Sequence, residues 1–112
     1  MELYKQEFGQ SFDLGFDLKN HSNLIDKSWH NDLCPSFYFK LSEQFYVLWI
    51  DYADVEQREE DTLRYVIVEA INEGNNKEPE IYTGDNRLIF ECELYTDLKE
   101  FFLSILESCV IH

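Results

Sequence analysis

The residues from Pro35 to Ala53, PSFYFKLSEQFYVLWIDYA, constrain the fold of this chain more than any other stretch. Phe37, Phe39 and Leu41 alternate with Tyr38, Lys40 and Ser42, the period-two pattern of a strand with one buried face. Ser42-Glu43-Gln44 makes a short polar break. Phe45 to Ile50 is then apolar without interruption, too short for a helix and rich in aromatic and β-branched residues. Such a run fits a strand covered on both faces. The expectation is a hairpin whose second strand is central to a sheet.

The flanks are read against that hairpin. Leu3, Tyr4 and Phe8 suit a short leading helix, whereas Phe12, Leu14, Phe16 and Leu18 alternate with polar residues or glycine as an amphipathic strand would. Asn20 to Asp32 turns to Asn, His, Ser and Asp, the composition of a loop. Asp54 to Thr62 is a dense acidic connection with room for one helical turn. Leu63 to Ile71 is a second central strand, with Leu63, Tyr65, Ile67 and Ile71 on one face and Val66, Val68 and Ala70 on the other. Asn72 to Pro79 is a turn. Ile81-Tyr82 and Leu88 to Leu94 form two arms around a turn at TGDNR, the second arm being an outer strand with one wet face. At the end, Thr96 can cap a helix with Asp97 and Glu100 early in it, complementing the helix dipole. There Leu98, Phe101, Phe102, Ile105, Leu106 and Cys109 recur at intervals of three and four. The fold expected is a single α+β domain over residues 1–112. It is a mainly antiparallel sheet of about four or five strands, with a C-terminal helix packed on one face.

At 112 residues and 45% hydrophobic content the chain can bury one core, so disorder is not expected. Nine basic residues stand against 23 acidic ones, a formal charge of −14. Such a field repels nucleic acid and anionic membrane and favours encounter with basic partners. The three cysteines, Cys34, Cys92 and Cys109, are odd in number and lack CxxC spacing. With no export-type segment and no run of transmembrane length, they read as reduced core thiols of a cytoplasmic protein.

Catalytic motifs are lacking. There is no G-x-S-x-G, no HEXXH and no P-loop, and four glycines leave little for a phosphate cradle. His30, Asp32 and Cys34, with His21 nearby, invite a zinc reading, yet no second ligand pair accompanies them. The better reading has Trp29 plugging the sheet edge, Asp32 turning the loop and Cys34 buried. No cofactor, no metal and no enzymatic activity are expected. A pocket between sheet and helix, near Trp29, His30 and Asp32, is the place a small ligand would go if one were bound.

The charge itself is patterned. Asp51, Asp54, Glu56, Glu59, Glu60 and Asp61 crowd one connection, relieved only by Arg58, and residues 51–107 carry sixteen acidic and five basic side chains. A solvated face is the plain explanation of such a run. Calcium fits less well, since the D-x-[DN]-x-[DN]-G order is missing. The functional explanation is a surface for a basic protein, with Asp51, Tyr52, Asp54, Glu56, Glu59, Glu60 and Asp61 as the contact set and Tyr52 and Tyr65 as aromatic anchors.

Residues 28–70, through SWHNDLCPSFYFKL, YVLWIDYADVEQREE and LRYVIV, resemble the immunity proteins of bacterial polymorphic and contact-dependent inhibition toxin systems. The resemblance is carried by Trp29, Asn31, Asp32, Cys34, Pro35, Trp49, Asp51, Glu56, Arg58 and Glu59. It implies a small, acidic, cytoplasmic, non-enzymatic α+β protein that binds a cognate toxin domain, often a basic nuclease, and blocks it. The alternative is a nucleic-acid mimic of the anti-restriction or anti-CRISPR type. That function needs carboxylates spaced along one elongated face. Neither nucleic acid nor membrane is an expected partner, and oligomeric state is left open.

Overall fold

The computed structural model describes the backbone of residues 3–75, 77–83 and 87–111, and side chains within these ranges as far as Ile105. It is an α+β fold built on one antiparallel sheet. A short helix α1 (Leu3–Phe8) leads into β1 (Ile25–Asp26), β2 (Ser36–Leu41), β3 (Gln44–Ile50), β4 (Tyr65–Asn72), β5 (Ile81–Tyr82), β6 (Leu88–Cys92) and the long helix α2 (Tyr95–Ile111). The order across the sheet is β1-β2-β3-β4, and both β5 and β6 pair with the far edge of β4.

β2 and β3 are the expected hairpin. They pair from Ser36↔Trp49 to Leu41↔Gln44, joined by the two residues Ser42 and Glu43. Ser42 takes φ +56° at the first turn position, the sign that a two-residue turn needs to match the twist of its strands. β3 is central, bonded to β2 on one side and β4 on the other. Its uninterrupted apolar run follows from that position, because Leu48 and Ile50 enter one core and Val47 the other.

The larger core lies between the sheet and α2. Phe37, Phe39, Leu48, Ile50, Tyr65 and Ile67 face Leu98 and Phe102 there. Phe102 meets Phe39 edge-on at 5.6 Å, and Phe101 stacks on Phe90 at 4.3 Å, geometries that favour aromatic pairs beyond their buried area. The smaller core, on the opposite face, gathers Val47, Ala70 and Ile81 with Tyr38, Phe45, Trp49 and Val68. Leu106 and Cys109, expected on the helix stripe, lie outside the described side chains. α2 begins at Tyr95, one residue before the expected cap. The Leu94 carbonyl accepts from the Asp97 and Leu98 amides, so Thr96 sits inside the first turn rather than capping it.

Three local expectations are corrected. Residues 12–18 form no strand: Gly15 turns at φ +88°, and the Leu14 carbonyl accepts the Tyr65 hydroxyl at 2.6 Å instead of joining a ladder. Phe12, Phe16 and Leu18 still pack against the larger core, so their hydrophobicity marks a plug and not a strand face. The 20–32 loop contains the two-residue strand β1, which covers the outer edge of β2. Finally, β5 and β6, expected as two arms around a turn, pair one after the other along β4, and the β4–β6 ladder shifts register at Ile67/Val68; residues 84–86 of the expected turn lie outside the described residues.

Candidate functional site

The acidic connection leaves β3 at Asp51 and returns to β4 at Arg64. Its middle is one 3-10 turn, Val55–Gln57, capped by the Asp54 carboxylate on the Glu56 amide. A loop this charged repels itself, and Arg58 holds it together. The side chain of Arg58 is only 2% exposed and forms an ion pair with Glu93. It donates to both Glu93 carboxylate oxygens at 2.9 and 2.6 Å, and to the carbonyls of Tyr52, Ala53 and Thr62. A planar five-donor fork suits this task as a lysine would not. The hydrogen bond and charge of Glu93 hold Arg58 firmly protonated, and Arg58 holds the Glu93 carboxyl below its ordinary range.

The seven residues expected to meet a partner separate into two groups. Asp54, Glu56, Glu59, Glu60 and Asp61 are exposed. Asp51 is buried at 8% exposure; its carboxylate accepts the Tyr52 amide at 2.8 Å and the Thr62 hydroxyl at 3.3 Å. The half-buried Tyr52 ring packs on Phe12 at 4.9 Å. Asp51 and Tyr52 therefore shape the base of the connection. Tyr65, read as an aromatic anchor, lies wholly in the core; burial pushes its hydroxyl up to about 12.

Apolar surface missed by the sequence reading stands beside the carboxylates. Val55 is 63% exposed in the middle of the run, and Leu33 and Leu63 are exposed nearby. Trp29 is 52% exposed and its ring lies tilted against His30 at 4.5 Å, with His30 Nδ1 3.4 Å from Glu7. The expectation that Trp29 plugs the sheet edge is thus corrected. Ser28 takes the inward role, its hydroxyl bonded to the backbone of Ser36. The signal for Trp29 was its polar neighbourhood, NHSNLIDKSWHND being a poor setting for a buried indole.

A groove of about 450 Å³ separates the 31–34 loop from the returning 60–64 segment. Trp49, Val66 and Val68 line it, and Asp32, Asp51 and Glu60 supply its carboxylates. It lies across the sheet from α2, not between sheet and helix where a pocket was expected; on the helix side a crevice of about 60 Å³ is lined by Phe39, Ile67 and Phe101. Asn31, Asp32, Cys34, Trp49 and Asp51, far apart in the chain, all line the groove. Cys34 is the thiol among them. Burial first, then Asp51, Asp32 and Glu60, push it up to about 12, which suppresses the nucleophilic thiolate. His30, Asp32 and Cys34 do not converge on one point, and among the described residues no group of three or more His, Cys, Asp or Glu is placed to hold a metal ion. No helix of the described residues is long and apolar enough to cross a membrane.

Compared with models of protein families, with curated proteins and with solved structures, the chain finds no match.

Proposed function

We propose that this chain is a non-enzymatic acidic binding protein of the immunity type, which neutralises a basic, nuclease-like toxin domain through the 54–61 connection. The observation that carries the reading is the inward-turned Arg58. The one cation of the run turns its side chain inward and pairs with the half-exposed Glu93, while five carboxylates and Val55 face outward. A face needed only for solubility requires neither a preorganised loop nor an exposed valine at its centre. A binding face gains from both, since rigid loops lose less entropy on association and apolar anchors supply much of the affinity.

Bunching supports a toxin domain over nucleic-acid mimicry. The five exposed carboxylates belong to one eight-residue segment, 54–61, with apolar side chains beside them, whereas a phosphate mimic needs a long regular row. The test is capture of partners from the source cells at low and at moderate salt, followed by co-expression. A single basic partner that is released as salt rises, and whose toxicity the chain relieves, is expected. Replacing Glu56, Glu59 and Glu60 by Gln and Asp61 by Asn together should weaken capture. Undiminished binding of that variant would reduce the run to a solvated face, and capture of several unrelated DNA-binding proteins would put mimicry ahead.

A further inference from the structure

The groove has a chemistry of its own beyond the charge of the connection. Asp51 is a carboxylate more than nine-tenths buried that has no ion-pair partner among the described residues; it accepts only from the Tyr52 amide and the Thr62 hydroxyl. Taking a carboxylate out of water without a counter-ion is unfavourable. Three basic side chains are near, and none pairs with it directly. The charge of Arg58 reaches Asp51, but its guanidinium forks onto Glu93. Arg64 belongs to the groove wall, but its guanidinium bonds the Asp13 carbonyl at 2.7 Å. Lys27 lies over the Trp49 ring, 5.6 Å from its centroid. Around Cys34 the fields of Asp51, Asp32 and Glu60 add together. Below these carboxylates the floor of Trp49, Val66 and Val68 is apolar.

An inorganic cation would leave that floor unfilled, and a neutral apolar group would leave Asp51 without a counter-ion. We propose that the groove receives one arginine side chain from a basic protein partner, its aliphatic stem on Trp49, Val66 and Val68 and its guanidinium among Asp32, Asp51 and Glu60. Arginine suits the place because its weakly hydrated planar cation both stacks on indole and forks onto carboxylates. A protein, not a free guanidine, is the source: the groove opens beside Leu33 and Leu63, apolar side chains that residues flanking the arginine would cover. This inference rests on the reading of the chain as an acidic binding protein and names the anchor of that interface.

The experiment is an NMR titration of the labelled 112-residue chain at low salt with the capped peptide Gly-Arg-Gly, and with its citrulline counterpart, which has the same shape without the charge. Saturable shifts of the Trp49 indole and of the Val66 and Val68 methyls are expected with arginine and not with citrulline. Asp32→Asn with Glu60→Gln should weaken binding by about tenfold, and Glu56→Gln with Glu59→Gln by less than about twofold. Shifts confined to residues 54–61, or equal binding of citrulline, would overturn the assignment. The two readings fail separately. An untouched groove in a chain that still captures a toxin removes only the arginine anchor, and a groove that binds arginine in a chain that relieves no toxicity removes only the immunity function.

Discussion

Replacing Arg58 by alanine removes five hydrogen bonds at once: three to the carbonyls of Tyr52, Ala53 and Thr62 and two to the Glu93 carboxylate. Hydrogen bonds to charged groups contribute roughly 1.5–3 kcal/mol apiece when measured singly, and they do not add. Removing one partner of a fully buried ion pair costs roughly 3–5 kcal/mol. Here the upper end is out of reach, because Glu93 is 41% exposed and keeps the Arg64 amide as a donor. The balance is a loss of about 2–4 kcal/mol. A domain of this size has a stability of roughly 5–15 kcal/mol, so Arg58→Ala remains folded. Urea denaturation should show its midpoint lowered by about 1–2 M. Hydrogen exchange should speed at the Gln57 and Arg58 amides, which bond the Asp54 and Val55 carbonyls within the connection, while β3 and β4 lose only the global increment. Arg58→Lys keeps the charge and loses the fork, and should fall between the two. In a double-mutant cycle with Glu93→Gln the coupling should exceed about 1 kcal/mol. A loss below about 0.5 kcal/mol with unchanged exchange at Gln57 and Arg58 would refute the idea that Arg58 organises the connection.

Other consequences can be checked on the same protein. At Ser42, φ +56° suits asparagine better than serine and excludes β-branched residues; Ser42→Asn should raise stability by about 0.5 kcal/mol and Ser42→Val lower it by about 1 kcal/mol or more in thermal melts. Gly15→Ala combines a positive φ with a Cβ driven into the Tyr65 hydroxyl and the Arg64 guanidinium, and should cost more than about 3 kcal/mol, whereas Tyr65→Phe loses one buried hydrogen bond for about 1–2 kcal/mol. Burial, then Lys99, lowers the His21 pKa from its ordinary 6.5, so the unfolded chain binds that proton more readily; stability is full above about pH 6.5 and falls as the pH drops through the folded value, and His21→Gln should flatten this part of the profile. Glu93 acts lower on the scale: Arg58 depresses it from 4.5, so its contribution is present above that value and lost as pH falls through the folded pKa, a step absent in Glu93→Gln. With a thiol pKa of about 12, Cys34 is thiolate at roughly one part in ten thousand at pH 8 and should resist iodoacetamide in the native state, as mapped by mass spectrometry; rapid labelling would place it outside the buried wall.

What the sequence alone determined was whatever repeats along the chain. The alternation of Phe37 and Phe39, the unbroken run from Phe45 to Ile50 and the stripe through Leu98, Phe102 and Ile105 each report a local period, and these elements form where expected because burial of one face dictates that period. The position of the acidic run on one connection was equally legible, since consecutive charges cannot all turn inward. Contacts between distant residues were decided only by the tertiary structure. Phe12 to Leu18 alternates like a strand, yet β1 takes the edge of β2 at Phe37 and Tyr38, and the segment plugs the core with its backbone bonded to Tyr65. Arg58 and Glu93 are 35 positions apart, and no pattern in either segment announces their pair. The groove is the extreme case: Cys34 comes from a loop, Trp49 and Val66 from neighbouring strands, and Glu60 from a connection, and their meeting follows from the β2-β3-β4 register. A local period says which way a side chain points; which distant group it meets depends on the pairing of the whole sheet.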